Sequence, residues 1–153
     1  MNEHMNVLEI PFNKFLGLQK ADKNSGFILQ LDDSEEYMNH IKTVHASALF
    51  ALAEATSGEF LIDQFKEFKL NIIPVVRKVV TKYSKPGNGK ILSKADFVDM
   101  TIDKIIDELN NKKRIIIKVR VVIYNESKVK LMSSVFDWFI TLNQFDAHMH
   151  YML

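Results

Sequence analysis

Residues 43–58, TVHASALFALAEATSG, form a stretch that is apolar all the way round when drawn as a helix. Large apolar side chains alternate there with small Ala and Ser residues, and Glu54 is the only charged residue between positions 46 and 55. A helix that is apolar on every face is normally buried on every face. The pattern therefore predicts a long central helix, with Thr43 as its N-cap and Gly58 at its end.

The rest of the chain alternates between short helical patterns and β-branched or aromatic runs. Together with the central helix, these patterns predict a single domain in which about five or six strands embrace one buried helix. The strands over 72–84 and 90–97 are expected to pair across the turn KPGNG. The predicted elements are a short helix over 11–17, a hairpin over 18–31, a helical stretch over 59–70, strands over 72–84 and 90–97, a short helix over 99–113, and long strands over 114–124 and 128–142.

Composition is that of an ordinary globular domain. The 153 residues are 47% apolar and 25% charged, enough for about one domain with a substantial core. The formal net charge of +1 creates no global field that would recruit nucleic acid or an anionic membrane. Because the chain has no cysteine, disulfides, thiolate catalysis and cysteine-based zinc sites are excluded.

No targeting signal is expected in the N-terminal stretch, and no metal site in the C-terminal tail. The first residues, MNEHMNVLEIPF, lack a basic segment followed by an apolar one, and no run of about 18 apolar residues occurs. A cytoplasmic protein is expected. His148 and His150 lie in a predicted tail over residues 146–153 without a third ligand, so we expect no metal site.

Glu54 is the unusual residue of the central helix. Burying a carboxylate costs several kcal/mol unless the group is paired or hydrogen-bonded. A single glutamate in such apolar surroundings therefore needs either a structural partner or a chemical role. A perturbed carboxylate in a cleft is also a common feature of active sites.

Residues 39–58, NHIKTVHASALFALAEATSG, resemble the pattern N-x-x-x-T-V-H-G-G-A-L-F-A-L-A-D/E of hotdog-fold acyl-CoA thioesterases of the phenylacetic-acid-pathway and 4-hydroxybenzoyl-CoA type. Weaker similarity extends to FLG at residues 15–17, to YSKPGNGKI at 83–91 and to the closing strands. The resemblance implies the α+β hotdog fold over residues 1–153, in which a curved antiparallel sheet of about five or six strands wraps around one long buried helix.

The start of the central helix suits an oxyanion. Its first amides have no acceptors within the helix, and they lie at the positive end of the helix dipole. With Thr43 as the cap, the free amides would include those of His45 and Ala46 and could polarise a thioester carbonyl. The resemblance implies the same use and makes Ala46, Ser47 and Gly58 oxyanion or substrate-binding positions.

The resemblance also implies three catalytic positions. Glu54 would activate water as a general base or attack the thioester itself, and Asn39 would orient the reacting groups. His45 mostly shapes the entry to the helix in this superfamily. From the residues alone, structural roles stay open: Glu54 bonded to a partner helix, His45 as a cap or packing residue, and Asn39 as a turn residue.

Spacing along the helix leads to a quaternary prediction. His45 and Glu54 are separated by about 13 Å at ~1.5 Å per residue, too far for both to touch one thioester carbon. A two-fold dimer in which the helix start of one protomer faces Glu54 of the other would give two equivalent sites. The resemblance implies such dimers, which can pair again into tetramers.

The motif departs from the superfamily pattern at two positions, where Ala46 and Ser47 replace glycines. The Ala46 amide is retained, but the added side chains take up space that glycine would leave for the substrate. Three functions therefore remain open: hydrolysis of an acyl-CoA thioester, non-catalytic binding of an acyl-CoA or fatty-acyl group, and hydration or dehydration of an acyl thioester through His45 and Glu54.

The substrate would bring its own coenzyme A, and no metal or redox cofactor is expected. Lys82, Lys85 and Lys90 flank the turn after the first long strand and could meet the coenzyme A phosphates. Each of these lysines is equally compatible with a solvated strand face. The sequence leaves open which acyl group the substrate carries. It also leaves open whether the carrier of that group is coenzyme A or acyl carrier protein.

Overall fold

The computed structural model describes residues 5–143, so the predicted tail over 146–153 with His148 and His150 lies outside the described residues. Within these residues, short 3-10 turns at Val7–Glu9, Glu35–Tyr37 and Lys66–Phe68 accompany three α-helices and six strands. In this part of the chain, no helix has the length and apolar character needed to cross a bilayer. The elements are α1 (Pro11–Phe15), β1 (Gln19–Lys20), β2 (Leu29–Leu31), α2 (Ala46–Phe65), β3 (Ile72–Tyr83), β4 (Ile91–Phe97), α3 (Ile102–Lys112), β5 (Arg114–Asn125) and β6 (Lys130–Leu142).

Six antiparallel strands form one curved sheet in the order β1-β2-β4-β5-β6-β3. Along β5, buried and exposed residues alternate, and the β-branched side chains of Ile117, Val119 and Val121 are buried in the core with α2. The predicted hairpin, the strand regions and both short helices are confirmed by these elements. The sheet wrapped around one helix is the predicted α+β architecture.

The predicted pairing of the first long strand with the next one is wrong. β3 pairs with β6 at one edge of the sheet, whereas β4 lies between β2 and β5. The segment after β3 does not reverse as a hairpin but runs to the start of α2, where the Val44 amide donates to the Gly87 carbonyl at 2.9 Å. A Cβ at Gly87 would collide with buried Leu131, so this crossing needs glycine.

The predicted bounds of the central helix, residues 43–58, are also wrong. The helix begins at Ala46, because His45 is its N-cap and the His45 Nδ1 atom accepts from the Ser47 amide at 3.0 Å. Thr43 lies in the preceding loop. The helix passes Gly58 and continues to Phe65, since Phe65 is buried in the core and this packing favours a further helical stretch. The helical pattern over residues 59–70 is thus confirmed as largely an extension of α2.

α2 is buried around most of its circumference but not all of it. As far as Gly58, Ala46, Ser47 and Glu54 are exposed, and Phe50 and Gly58 are half-buried. These positions recur at helical spacing and form one narrow strip, which we call the exposed strip. The prediction of burial on every face is therefore wrong for this strip within a single chain, because the curved sheet does not close around the helix.

Two buried hydroxyl groups tie α2 to the sheet. Thr56 Oγ1 lies 2.6 Å from Ser93 Oγ, and Ser93 Oγ also contacts both the amide and the carbonyl of Leu29 at 3.2 and 3.1 Å. Both hydroxyls are fully buried. Because buried polar groups are costly when unpaired, this cluster fixes the position of α2 against β2 and β4.

We predict that Ser93→Ala lowers the free energy of unfolding by about 1–3 kcal/mol, because it removes the hydroxyl that bonds the buried Thr56 side chain and the backbone of Leu29. Urea denaturation measures the change. Ser84→Ala, at an exposed position with no side-chain hydrogen bond within residues 5–143, is the control and should change stability by less than about 0.5 kcal/mol. Equal effects of the two substitutions would contradict this account of the cluster.

Candidate functional site

An apolar groove of about 400 Å³ lies beside Glu54. One wall is α2, the opposite walls are the segment around Val7–Glu9 and the start of β3, and Trp138 of β6 closes the inner side. Apart from Glu54 and Asn13, every lining residue is apolar. The lining residues are Met5, Val7, Ile10, Asn13, Glu54, Ala55, Gly58, Ile62, Pro74, Val75, Val76 and Trp138.

Glu54 has a fixed backbone and a free carboxylate. Its carbonyl oxygen accepts from Ser57 Oγ at 2.7 Å, and Ser57 Oγ accepts from the indole Nε1 of Trp138 at 3.1 Å. Ser57 and Trp138 are buried, so this pair pins the helical turn around Glu54 to β6. Within residues 5–143 the carboxylate makes no ion pair or hydrogen bond and is exposed at the groove.

A second hollow, of about 330 Å³, lies at the start of α2. It shares no lining residue with the groove beside Glu54, and its lining includes Glu36 and the cap residue His45. Its lining residues are Phe12, Leu16, Glu36, Tyr37, Met38, His45, Ser47 and Ala48. The hollow thus adjoins the first amides of the helix.

One of the first amides of α2 remains available. The His45 amide donates to the Tyr37 carbonyl at 2.8 Å, so the prediction that this amide is free is wrong; the loop before the helix folds back on itself. The Ser47 amide donates to His45 Nδ1. The Ala46 amide has no acceptor among the described residues, as predicted. A ligand oxygen at the helix start would therefore meet the Ala46 amide and the helix dipole.

Asn39 holds the loop in front of α2. Its Oδ1 accepts from the amides of Ile41 and Thr43, each at 3.0 Å, and its Nδ2 donates to Thr43 Oγ1 at 2.8 Å. Asn39 lines neither hollow. Its contacts in the structure are those of the turn residue that remained an alternative in the sequence.

The predicted phosphate-binding lysines lie outside both hollows. Lys82 and Lys85 are exposed and Lys90 is half-buried. The chain between them nevertheless runs beside the helix start, where Tyr83 donates its hydroxyl to the Ala46 carbonyl at 3.4 Å. The lysines therefore flank the end of α2 that carries the free amide.

The structure divides the predicted site residues into two groups. His45, Ala46 and Ser47 lie together at the start of α2, whereas Glu54 and Gly58 line the groove farther along the same helix. Eight residues at ~1.5 Å each place Ala46 and Glu54 about 12 Å apart along the axis. One chain therefore does not bring the free amide and the carboxylate to the same point.

Several residues around the two hollows were not found from the sequence. Glu36 and Tyr37 belong to a polar loop without a distinctive pattern, and Asn13 is recognised only through its hydrogen bond to the Val7 carbonyl at 2.9 Å. Tyr37 donates its hydroxyl to the Leu16 carbonyl. Such contacts join segments that are distant in sequence, so periodicity could not reveal them.

The sequence over residues 22–140 matches the family described as a domain of unknown function, DUF4442, and the chain belongs to that family. A search of curated proteins finds no match.

Solved structures share the fold. A Pseudomonas aeruginosa protein of unknown function, described as a probable thioesterase, superposes with a TM-score of 0.75 at 21% identity, covering 90% of this chain and 91% of that one. The Escherichia coli PaaI protein from the phenylacetic acid degradation operon superposes with a TM-score of 0.60 at 15% sequence identity, covering 82% of this chain and 84% of that one. A hypothetical thioesterase from Streptococcus pneumoniae, solved with coenzyme A, superposes with a TM-score of 0.58 at 16% sequence identity, covering 82% of this chain and 86% of that one.

The predicted hotdog fold is thus confirmed by its likeness to structures of proteins that are described as thioesterases or named PaaI. At these identities the structural likeness establishes the architecture. The reaction and the residues that perform it are argued below from the geometry of this chain.

We predict that Tyr37→Phe lowers the free energy of unfolding at neutral pH by about 1 kcal/mol, through loss of the hydrogen bond to Leu16. Burial, and after it the carboxylates of Glu36 and Asp32, raises the pKa of Tyr37 above its ordinary value of 10.0. Once the pH exceeds that ordinary pKa, the Tyr37 hydroxyl ionises in the unfolded chain while it stays protonated in the folded chain. The free energy of unfolding therefore falls as the pH rises further.

The substitution should therefore remove part of the alkaline loss of stability, as measured by thermal unfolding between pH 8 and 11. Tyr124→Phe is the control, because the Tyr124 hydroxyl has no hydrogen bond among the described residues. If Tyr37→Phe and Tyr124→Phe give the same stability at neutral pH and the same alkaline slope, the role given to Tyr37 is wrong.

Proposed function

We propose that the protein hydrolyses an acyl-CoA thioester to a free acid and coenzyme A. The observation that carries the proposal is the pairing, along one exposed strip of α2, of an unpartnered Ala46 amide at the helix start with the unpartnered Glu54 carboxylate at an apolar groove. These are the groups that thioester hydrolysis needs: a donor for the oxyanion and a base or nucleophile.

In the proposed reaction the thioester oxygen accepts a hydrogen bond from the Ala46 amide, at the positive end of the α2 dipole. Glu54 takes a proton from water as the water oxygen bonds to the carbonyl carbon, or attacks that carbon itself. The tetrahedral intermediate then collapses, the carbon–sulfur bond breaks, and coenzyme A leaves as the thiol with the proton that Glu54 took from water. In the nucleophilic route the thiolate takes its proton from solvent, and water then hydrolyses the acyl–Glu54 anhydride to the free acid and the Glu54 carboxylate. Asn39 acts as a positioning residue, because it holds the loop that leads into the helix.

A two-fold dimer completes each site in this proposal. The Ala46 amide and the Glu54 carboxylate of one chain are about 12 Å apart along the helix, so they cannot both contact the same thioester carbon. An antiparallel pair of α2 helices would place each Glu54 near the start of the other chain's helix. The surface supports such pairing. β3 is an edge strand with the exposed side chains of Ile73, Val75 and Val80, and long apolar edges are pairing surfaces.

Coenzyme A is proposed as the carrier. The Streptococcus pneumoniae neighbour was solved with coenzyme A. In this chain Lys82, Lys85 and Lys90 flank the segment that contacts the helix start, so their ammonium groups could meet the phosphates of a thioester held at Ala46. The proposed reaction needs no metal or redox cofactor.

Non-catalytic acyl-CoA or fatty-acyl binding is the second candidate. The side chains of Ala46 and Ser47 occupy the helix start where related motifs have glycine, and they narrow the approach to the free amide. Hydration or dehydration is a weaker alternative, because His45 Nδ1 is engaged in capping α2. A change in enoyl absorbance without thiol release would favour that third reaction.

We predict that Glu54→Gln lowers thiol release from a panel of acyl-CoA esters by at least about 100-fold, since it removes the proposed base while keeping the shape of the side chain. The matched control is Asp63→Asn, an exposed carboxylate on the same helix outside the groove, which should retain wild-type activity. Undiminished thiol release by Glu54→Gln would exclude the proposed role, and acyl-CoA binding without turnover by the wild type would favour the second candidate.

We predict that Ala46→Pro lowers activity by about 100- to 1,000-fold without loss of stability. Proline removes only the free amide, and it is favoured at the first position of a helix. His45, with φ −60° and ψ 138°, already has the extended conformation that a following proline requires. Thiol release and thermal unfolding measure the two effects; an active proline variant would exclude the proposed oxyanion donor.

Mixing the two inactive variants tests the shared site. If each site combines Ala46 of one chain with Glu54 of the other, a refolded 1:1 mixture of Ala46→Pro and Glu54→Gln should recover about a quarter of wild-type activity, because half the dimers are mixed and each has one intact site. Sites built within one chain would leave the mixture inactive.

A further inference from the structure

We propose that Gly58 limits the length of the acyl chain that the groove accepts, and that the substrate carries a linear apolar acyl group lying along α2. The inference rests on the proposed function, because it places the thioester carbon at Glu54. It adds a specificity-determining residue and a substrate class to that site.

The groove runs along the axis of α2. Glu54, Gly58 and Ile62 all line it and follow one another at intervals of four residues, about 6 Å along the helix. A chain whose carbonyl lies at Glu54 would therefore pass over Gly58 before it reaches Ile62. Facing this path are the apolar side chains of Val7 and Trp138, both of which are buried.

The conformation of the helix does not require a glycine at position 58. Gly58 lies in the interior of α2, and the glycines with positive φ are Gly17, Gly26 and Gly89. Glycine in a helix interior is less stable than alanine, because it loses more backbone entropy on folding.

Packing within the chain does not require glycine either. A Cβ built at Gly58 would come no closer than 3.8 Å to another side chain, Val7 Cγ2, which is ordinary van der Waals contact. By contrast, a Cβ at Gly87 collides with Leu131. Position 58 thus has room for a methyl group that the sequence does not supply, and this open space belongs to the groove beside Glu54. We infer that the space is kept for the ligand.

The remaining polar groups of the groove fit an apolar ligand. The Trp138 indole donates to Ser57 and the Asn13 amide donates to the Val7 carbonyl, so these donors are already satisfied. The Glu54 carboxylate is the only charged group among the described lining residues, and it lies at the end where the thioester would react. A groove of about 400 Å³ with this lining suits an unsubstituted hydrocarbon chain more than a polar acyl group.

The test compares wild type with Gly58→Ala and Gly58→Leu by titration calorimetry with non-hydrolysable S-alkyl coenzyme A thioethers of increasing chain length. Wild-type affinity should rise about fourfold per methylene until the groove is filled. In Gly58→Ala the rise in affinity should stop at a shorter chain, and in Gly58→Leu at a still shorter one. Gly58→Ala should also raise the melting temperature.

Asn110→Ala is the matched control, because it improves the helix propensity of an exposed position in α3, away from the groove. Asn110→Ala should raise the melting temperature without changing how the affinity for the thioethers depends on their chain length. Sedimentation should give each variant the same mass as wild type. If Gly58→Leu changes that mass, the comparison of limiting chain length between wild type and Gly58→Ala tests the inference. The same limiting length in wild type and Gly58→Ala overturns the inference.

A parallel series of 1-alkanols separates this inference from the proposed function, because alkanol binding needs neither turnover nor coenzyme A. If thioethers do not bind but the limiting alkanol length still shortens in Gly58→Ala, the coenzyme A function fails and the groove stands as a site for linear apolar chains. A wild-type protein that binds neither series, or that binds every length equally, overturns the role of Gly58.

Discussion

The fixed rise of α2 governs the chemistry available to this chain. A helix holds Ala46 and Glu54 about 12 Å apart whatever happens elsewhere in the fold. Buried hydrogen bonds of Thr56 to Ser93 and of Trp138 to Ser57 further fix the helix on the sheet. Neither group can move to the other, so a reaction that needs both must obtain one from a second molecule.

The surfaces left open by the sheet lie where that second molecule would bind in the proposed dimer. Ser47 and Glu54 lie on the exposed strip of α2, and the groove beside Glu54 is partly walled by β3, the edge strand. Val75 contributes to the groove wall and is itself half-exposed, at 51%. Apolar exposure of this kind in a single chain is consistent with an interface that also completes the reaction site. Gly58 belongs to the α2 wall of the same groove, where it would face the proposed substrate.

Much of the architecture could be predicted from the sequence, because the signals are local. Period-two β-branched runs mark β5 and β6, and an uninterrupted apolar stretch marks α2. Strand order could not be predicted in this way, since the segment after β3 is held by contacts with distant parts of the chain. Examples are the hydrogen bonds of the Val44 amide to the Gly87 carbonyl and of the Ser84 amide to the Leu131 carbonyl. The sequence predicts Thr43 as the N-cap, whereas the structure has His45. Either side chain can cap a helix, and the conformation of the preceding loop determines which of them does.

The sequence names candidate site residues, but it does not show how the fold arranges them. The motif identified Glu54 and Ala46, whereas the groove walls come from segments that are far away in the sequence and meet only in the fold. The most direct test is a crystal structure with a non-hydrolysable ketone analogue of an acyl-CoA. The account predicts the ketone oxygen within hydrogen-bond distance of one chain's Ala46 amide and the carbonyl carbon beside Glu54 of the other chain. A ketone bound away from Glu54, or held by both residues of a single chain, would contradict it.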